Sequence, residues 1–125
     1  MRVFKNSRFS RFAGKEAISD QELRTAAKDI EAGHFDADLG GHVYKQRIAR
    51  PGEGKSGGYR VVVFFKRGER TFFTYGFPKS ERDNISDKEL RYYRKLARDY
   101  LAMTENQLDA ALKAGEFIEL LEDIA

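Results

Sequence analysis

A chain of 125 residues with 41% hydrophobic content can bury one core, so a single domain over residues 1–125 is expected. It contains no cysteine, which excludes a disulfide framework and any cysteine-based zinc site. The net charge of +3 hides an asymmetry: residues 43–82 carry ten bases against three acids, and the remainder carries thirteen bases against seventeen acids. A basic middle between acidic flanks is the charge footprint expected of a nucleic-acid binder. The longest apolar run, 61–65, falls far short of the ~20 residues that span a bilayer, so no membrane partner is expected. The bases Arg2, Lys5, Arg8 and Arg11 precede no apolar stretch of signal-peptide length, and a cytoplasmic location is expected.

In chain order, a first strand is expected at 2–4 and a short helix around 7–13. Ser19 and Glu22 form a capping box, each side chain satisfying the other residue's backbone N–H. The helix they open runs to about Ala32 and stops at Gly33, a natural left-handed cap. Residues 43–49 alternate as a strand, with Lys45 and Arg47 to one side and Tyr44, Gln46 and Ile48 to the other. Residues 59–66, rich in β-branched and aromatic side chains, read as a second strand. A hairpin turn at 66–70 leads to a return strand at 71–77, ended by Pro78, which cannot continue a central ladder. A second box, Ser86 with Glu89, opens a helix to about Met103. Its Leu90, Tyr93, Leu96, Ala97 and Leu101 face the core. Tyr92, Tyr100, Arg91, Arg94, Lys95 and Arg98 lie largely off that stripe. Thr104 with Gln107 opens the last helix, which Gly115 stops. The acidic tail 115–125 is open to a short strand, a helix or a loose end. The order predicts an α+β fold: a small antiparallel sheet of three to four strands with flanking N-terminal and C-terminal helices packed on one face.

Four groups of residues could carry chemistry. Gly54-Lys55-Ser56 has the look of a phosphate loop, but the first glycine of that motif would fall at Ala49, and a strand follows where a helix is needed. Glycines in this stretch could instead let the backbone approach a polyanion, or simply relax a strand connection. The second group is the bases Lys45, Arg47, Arg60, Lys79 and Arg82, which converge on one sheet surface if the strands pair. Such a cluster grips RNA phosphates. It also stabilises the charge that forms when a 2′-hydroxyl attacks its own phosphate. The alternative is a solvated sheet face, with Arg60 the least idle member because it opens the most apolar strand. Third, His34 and His42 flank Asp36 and Asp38. They match no metal motif, and loop histidines are usually surface residues. Fourth, the aromatics from Tyr59 to Phe77 mostly form core, with a minority available to stack on bases.

The stretches Gly33-His34-Phe35-Asp36-Ala37-Asp38-Leu39-Gly40-Gly41, Val43-Tyr44-Lys45-Gln46-Arg47, Gly54-Lys55-Ser56-Gly57-Gly58-Tyr59-Arg60 and Tyr75-Gly76-Phe77-Pro78-Lys79-Ser80-Glu81-Arg82 resemble a HigB-type branch of the RelE/ParE toxin superfamily. The resemblance covers nearly the whole chain. It implies a RelE-like curved antiparallel sheet with flanking helices. It also implies a ribosome-dependent mRNA endoribonuclease that inhibits translation and is neutralised by a cognate antitoxin, for which a helix-turn-helix protein is a candidate. By motif, Arg60 matches the arginine placed at the scissile phosphate, Lys45 and Arg47 the alternating bases of the preceding strand, and Lys79 and Arg82 the basic pair after the next one. The chain departs from the pattern where RelE has a tyrosine that stacks on mRNA; here Asp83-Asn84-Ile85-Ser86 stand. The histidine-bearing active site of some HigB toxins is not evident either, and Tyr75 is the candidate substitute. The expected catalytic residues are therefore Arg60, Lys79 and Tyr75, and the expected RNA contacts Lys45, Arg47, Arg50, Lys55 and Arg82. No metal or cofactor is expected; the expected partners are mRNA, the ribosome and the antitoxin. The competing expectation is a non-catalytic member acting by protein binding, as a gyrase poison or interaction module. Clustered strand bases favour the ribonuclease, because gyrase binding needs no phosphate site.

Overall fold

A computed structural model of the protein describes residues 1–50 and 57–121. Its elements are β1 (Arg2–Asn6), α1 (Ser7–Glu16), α2 (Asp20–Glu31), β2 (Ala37–Asp38), β3 (Val43–Arg50), β4 (Gly58–Lys66), β5 (Arg70–Pro78), α3 (Asp87–Ala102), α4 (Glu105–Lys113) and β6 (Phe117–Leu120). The α+β class is as expected. The sheet is larger than expected, with six strands in the order β2-β3-β4-β5-β1-β6. The two additions, β2 and β6, have two and four residues, too few to show a strand period in sequence. β1 lies inside the sheet, parallel to β5 and antiparallel to β6. Arg2 locks this end, with a bidentate pair to Glu119 on β6 and a bond to Glu105 on α4.

Helices cover both faces of the sheet, not one. Phe9 and Ala13 of α1 and Leu23, Ala26, Ala27 and Ile30 of α2 pack with Ile48, Tyr59, Val61, Val63 and Phe73. Tyr93 and Ala97 of α3 and Leu108 and Ala111 of α4 pack with Phe4, Val43, Val62, Phe64 and Phe72 on the other face. This explains the composition of β4, which is buried at every position but Lys66. A strand with both faces covered reads as a continuous apolar run, the pattern usual for strands sandwiched between helices. Tyr100, expected off the core stripe, joins the core instead. Its ring lies 5.0 Å from Phe72 and 4.9 Å from Phe117. It sits seven residues after Tyr93 and so returns to the same helix face.

β4 and β5 are out of simple register at one point. Val63 pairs with Phe73 but Val62 pairs with Tyr75, leaving Thr74 as the extra residue of a β-bulge. The Thr74 hydroxyl donates to the Val62 carbonyl at 2.9 Å, which satisfies a buried polar group at the irregularity. Phe73 packs toward α1 and α2, whereas Tyr75, only two residues on, packs toward α3. Without the extra residue the two would share a face. The bulge thus delivers Tyr75 and Phe77 to the sheet face that carries Arg60.

Candidate active site

Three adjacent strands build a basic end on the α3 face. Arg47 of β3 pairs directly with Arg60 of β4, and Arg60 in turn pairs with Phe77 of β5. Lys45 lies two residues before Arg47 and hence on the same face. Arg60 is buried, with 3% of its surface exposed, while the Arg47 side chain is 46% exposed. Such a buried guanidinium needs an acidic or polar environment. Asp36 supplies part of it: its carboxylate lies 2.8 Å from Arg47 Nε, 3.4 Å from Lys45 Nζ and 3.8 Å from Arg60 Nε. Arg60 Nη1 also donates to the Tyr59 carbonyl at 3.3 Å. Burial by itself would raise the Asp36 pKa. The hydrogen bond from Arg47 and the charges of Lys45 and Arg47 outweigh it and hold the carboxyl below its ordinary value.

Tyr75, Phe77 and Arg82 adjoin this end. The Arg82 guanidinium stands 5.2 Å from the Phe77 ring centre and donates to the Tyr75 hydroxyl at 3.4 Å. Arg8, from the first turn of α1, lies 4.5 Å over the Tyr75 ring. The sequence gives no sign of Arg8, because the contact joins residues 67 positions apart that meet only when β1 enters the sheet beside β5. Glu89 serves twice. It caps the α3 N-terminus with Ser86, and it makes a bidentate pair with Arg82 at 2.6 and 3.2 Å. The hydrogen bond from Arg82, then that from the Ser86 backbone, lowers its pKa from 4.5 to about 2. A depressed carboxylate stabilises the fold above its unfolded pKa, and that stability is lost as pH falls through the folded value. The advantage of the wild type over Glu89→Gln in thermal unfolding should therefore be full above pH 4.5 and shrink toward pH 2. An advantage that does not change across this window would show that the pair does not set the titration.

Of the residues singled out from sequence, Lys45, Arg47, Arg60, Tyr75 and Arg82 come together on one face. Lys79 is exposed at the end of β5, its backbone N–H bonded to the Gly58 carbonyl at 3.0 Å, two residues from Arg60. Arg50 points elsewhere: its guanidinium lies 5.6 Å from the ring of Tyr59, which belongs to the core of the opposite face. Strand alternation separates it from Arg47, three residues earlier. Lys55 lies outside the described residues. The two histidines line different grooves, His34 with Asp36 and Arg47, His42 with Lys66 and Arg94. Among the described residues no group of three or more His, Asp or Glu is placed to hold a metal ion, and no helix is long and apolar enough to cross a membrane.

No curated protein matches the chain. The family model described as RelE toxin of the RelE/RelB toxin–antitoxin system matches residues 1–120. That match takes in every element described above, including the paired arginines of β3 and β4 and the C-terminal strand β6. The chain belongs to the RelE toxin family and is the toxin of a toxin–antitoxin system, with a cognate antitoxin as its partner.

Proposed function

We propose that this toxin is an endoribonuclease that cuts mRNA in the ribosome and so stops translation. The direct cross-strand pair Arg47–Arg60, with Lys45 beside it, carries this reading. Two arginines opposite each other on a sheet repel, a cost of up to roughly 1 kcal/mol; Asp36 offsets part of it, and an anionic ligand would offset more. In the reaction a 2′-hydroxyl attacks the adjacent phosphorus, the bond to the 5′-oxygen breaks, and a 2′,3′-cyclic phosphate and a 5′-hydroxyl result. The 2′-proton must leave and the 5′-oxygen must gain one. Lys79 and Tyr75 are the candidate groups for these transfers. Arg60 stabilises the extra negative charge on the phosphorane, and Lys45, Arg47 and Arg82 hold flanking phosphates. Because Arg60 is covered in the free protein, its engagement by phosphate requires neighbouring side chains to move.

That burial also favours a second reading. In it Arg60 is a structural ion-pair member, and the toxin acts by binding a protein such as gyrase. Inducing the toxin alone in a bacterium separates the two. The ribonuclease arrests growth with mRNA loss before any DNA-damage response. Arrest with intact mRNA and induced DNA damage identifies the gyrase-type reading. For the ribonuclease, affinity for a single-stranded 2′-O-methyl mRNA should also fall with salt at a log–log slope of about −0.7 per phosphate contact. A flat salt response would remove the basic face as the RNA contact.

A further inference from the structure

Asp36 sits where an RNA phosphate would be expected, between Arg47, Lys45 and Arg60, and the reading above gives it no role. We propose that Asp36 is a positioning residue of the cleavage site: it holds these three cations in one arrangement and, by its own charge, opposes phosphate binding. The inference rests on the endoribonuclease reading.

The placement is built by the fold. The Asp36 backbone N–H donates to the Lys45 carbonyl at 3.0 Å, and the next residue, Ala37, pairs with Lys45 across β2 and β3. The backbone is therefore tied to the same strand that carries two of the cations. Its short side chain has little freedom from that anchor and is 11% exposed. Arg47 Nε and Lys45 Nζ approach separate carboxylate oxygens, so one group fixes two side chains at once. Without the Asp36 carboxylate, the mutual repulsion of Lys45, Arg47 and Arg60 would be less compensated, and a donor that must be reoriented during the reaction contributes less than one already in place. The carboxylate keeps its charge at neutral pH, because its cationic neighbours hold its pKa down. A fixed anion beside the phosphate path weakens RNA binding. Asp36 therefore acts with opposite signs on the two steps, favouring cleavage and opposing binding.

A residue that merely supports the fold would lower both steps together, so the signs are the test. Binding is measured on ribosomes programmed with 2′-O-methyl mRNA, and cleavage in single turnover on unmodified mRNA. Asp36→Asn should bind about fivefold tighter, the value of one unit charge removed at a few ångströms in a solvated site. It should cleave at least ~10-fold more slowly, because the cations lose their fixed geometry. Asp36→Glu keeps the charge and moves it one methylene outward; it should bind as the wild type does and cleave at a rate between those of the wild type and Asp36→Asn. If Asp36→Asn fails to fold, Asp36→Glu decides alone, and wild-type cleavage by that variant overturns the proposal. Weaker or unchanged binding by folded Asp36→Asn, or unchanged cleavage, overturns it too. In these cases the wild type still cleaves and the endoribonuclease reading stands. A wild-type protein that neither binds nor cleaves mRNA on ribosomes overturns both.

Discussion

Arg60→Ala should reduce single-turnover cleavage of mRNA on programmed ribosomes by about 10²–10³, the usual cost of one preorganised donor, with a much smaller loss of binding to a 2′-O-methyl mRNA. The difference follows from when the charge appears. On the endoribonuclease reading, Lys45, Arg47 and Arg82 would hold the ground-state phosphates, whereas the second negative charge on the phosphorane oxygens exists only at the transition state. Arg60→Lys is the sharper control. It keeps a positive charge but loses the planar fork, so most of the defect should persist if two phosphate oxygens are bridged. An Arg60 that only supports the fold of a ribonuclease would instead give a large drop in the unfolding midpoint with unaltered cleavage per folded molecule. Wild-type cleavage by folded Arg60→Ala would exclude Arg60 from the chemistry. Equal losses in binding and cleavage would make it a contact residue and leave the charge-stabilising group to be found elsewhere.

What could be read from the chain was what depends on near neighbours. The three capping boxes, Ser19–Glu22, Ser86–Glu89 and Thr104–Gln107, all form as expected, because each joins residues three apart. The alternation of Lys45 and Arg47 against Tyr44 and Ile48 is likewise local, and it placed the bases on one face. The bulge at Thr74 was not visible. The run Thr71-Phe72-Phe73-Thr74-Tyr75-Gly76-Phe77 reads as an ordinary strand, yet one extra residue decides whether Tyr75 faces α1 or Arg60. In sequence Asp36 stands out only as a neighbour of the histidines. Its real partners stand on β3 and β4, brought to it by a two-residue strand with no period of its own. Gly58 is a close-approach position for a reason that lies across the sheet: an added Cβ would stand 2.2 Å from the Ile48 carbonyl oxygen of β3. The glycine lets two strands approach at the end where Arg47 and Arg60 pair, and its φ lies outside the left-handed region.

The second large effect falls on stability and leaves the chemistry alone. Phe72→Ala should lower the unfolding free energy by about 3–5 kcal/mol, the range for removing a fully buried phenyl ring. Phe72 is wholly buried, its ring stacked on Phe4 at 5.0 Å and packed against Phe117 at 5.2 Å and Tyr100 at 5.0 Å. These four rings join β1, β5, β6 and α3, so the cavity opens where chain segments far apart in sequence meet, and no one of them can move in without dragging another. A domain of this size is stable by roughly 5–15 kcal/mol, so the loss is a large share of the whole. Phe72 pairs with Phe64, four residues along β4 from Arg60, or about 13 Å. Arg60, Arg47 and Asp36 should therefore keep their geometry in the molecules that remain folded. Urea unfolding should show the midpoint displaced with an unchanged slope, and cleavage per folded molecule should stay within about twofold of the wild type, the margin left by weak coupling between distant sites. A midpoint shift worth less than ~1 kcal/mol would mean that the aromatic cluster repacks and is not the keystone of this sheet face. A large loss of cleavage per folded molecule would show that the arrangement around Arg60 depends on the far end of the sheet.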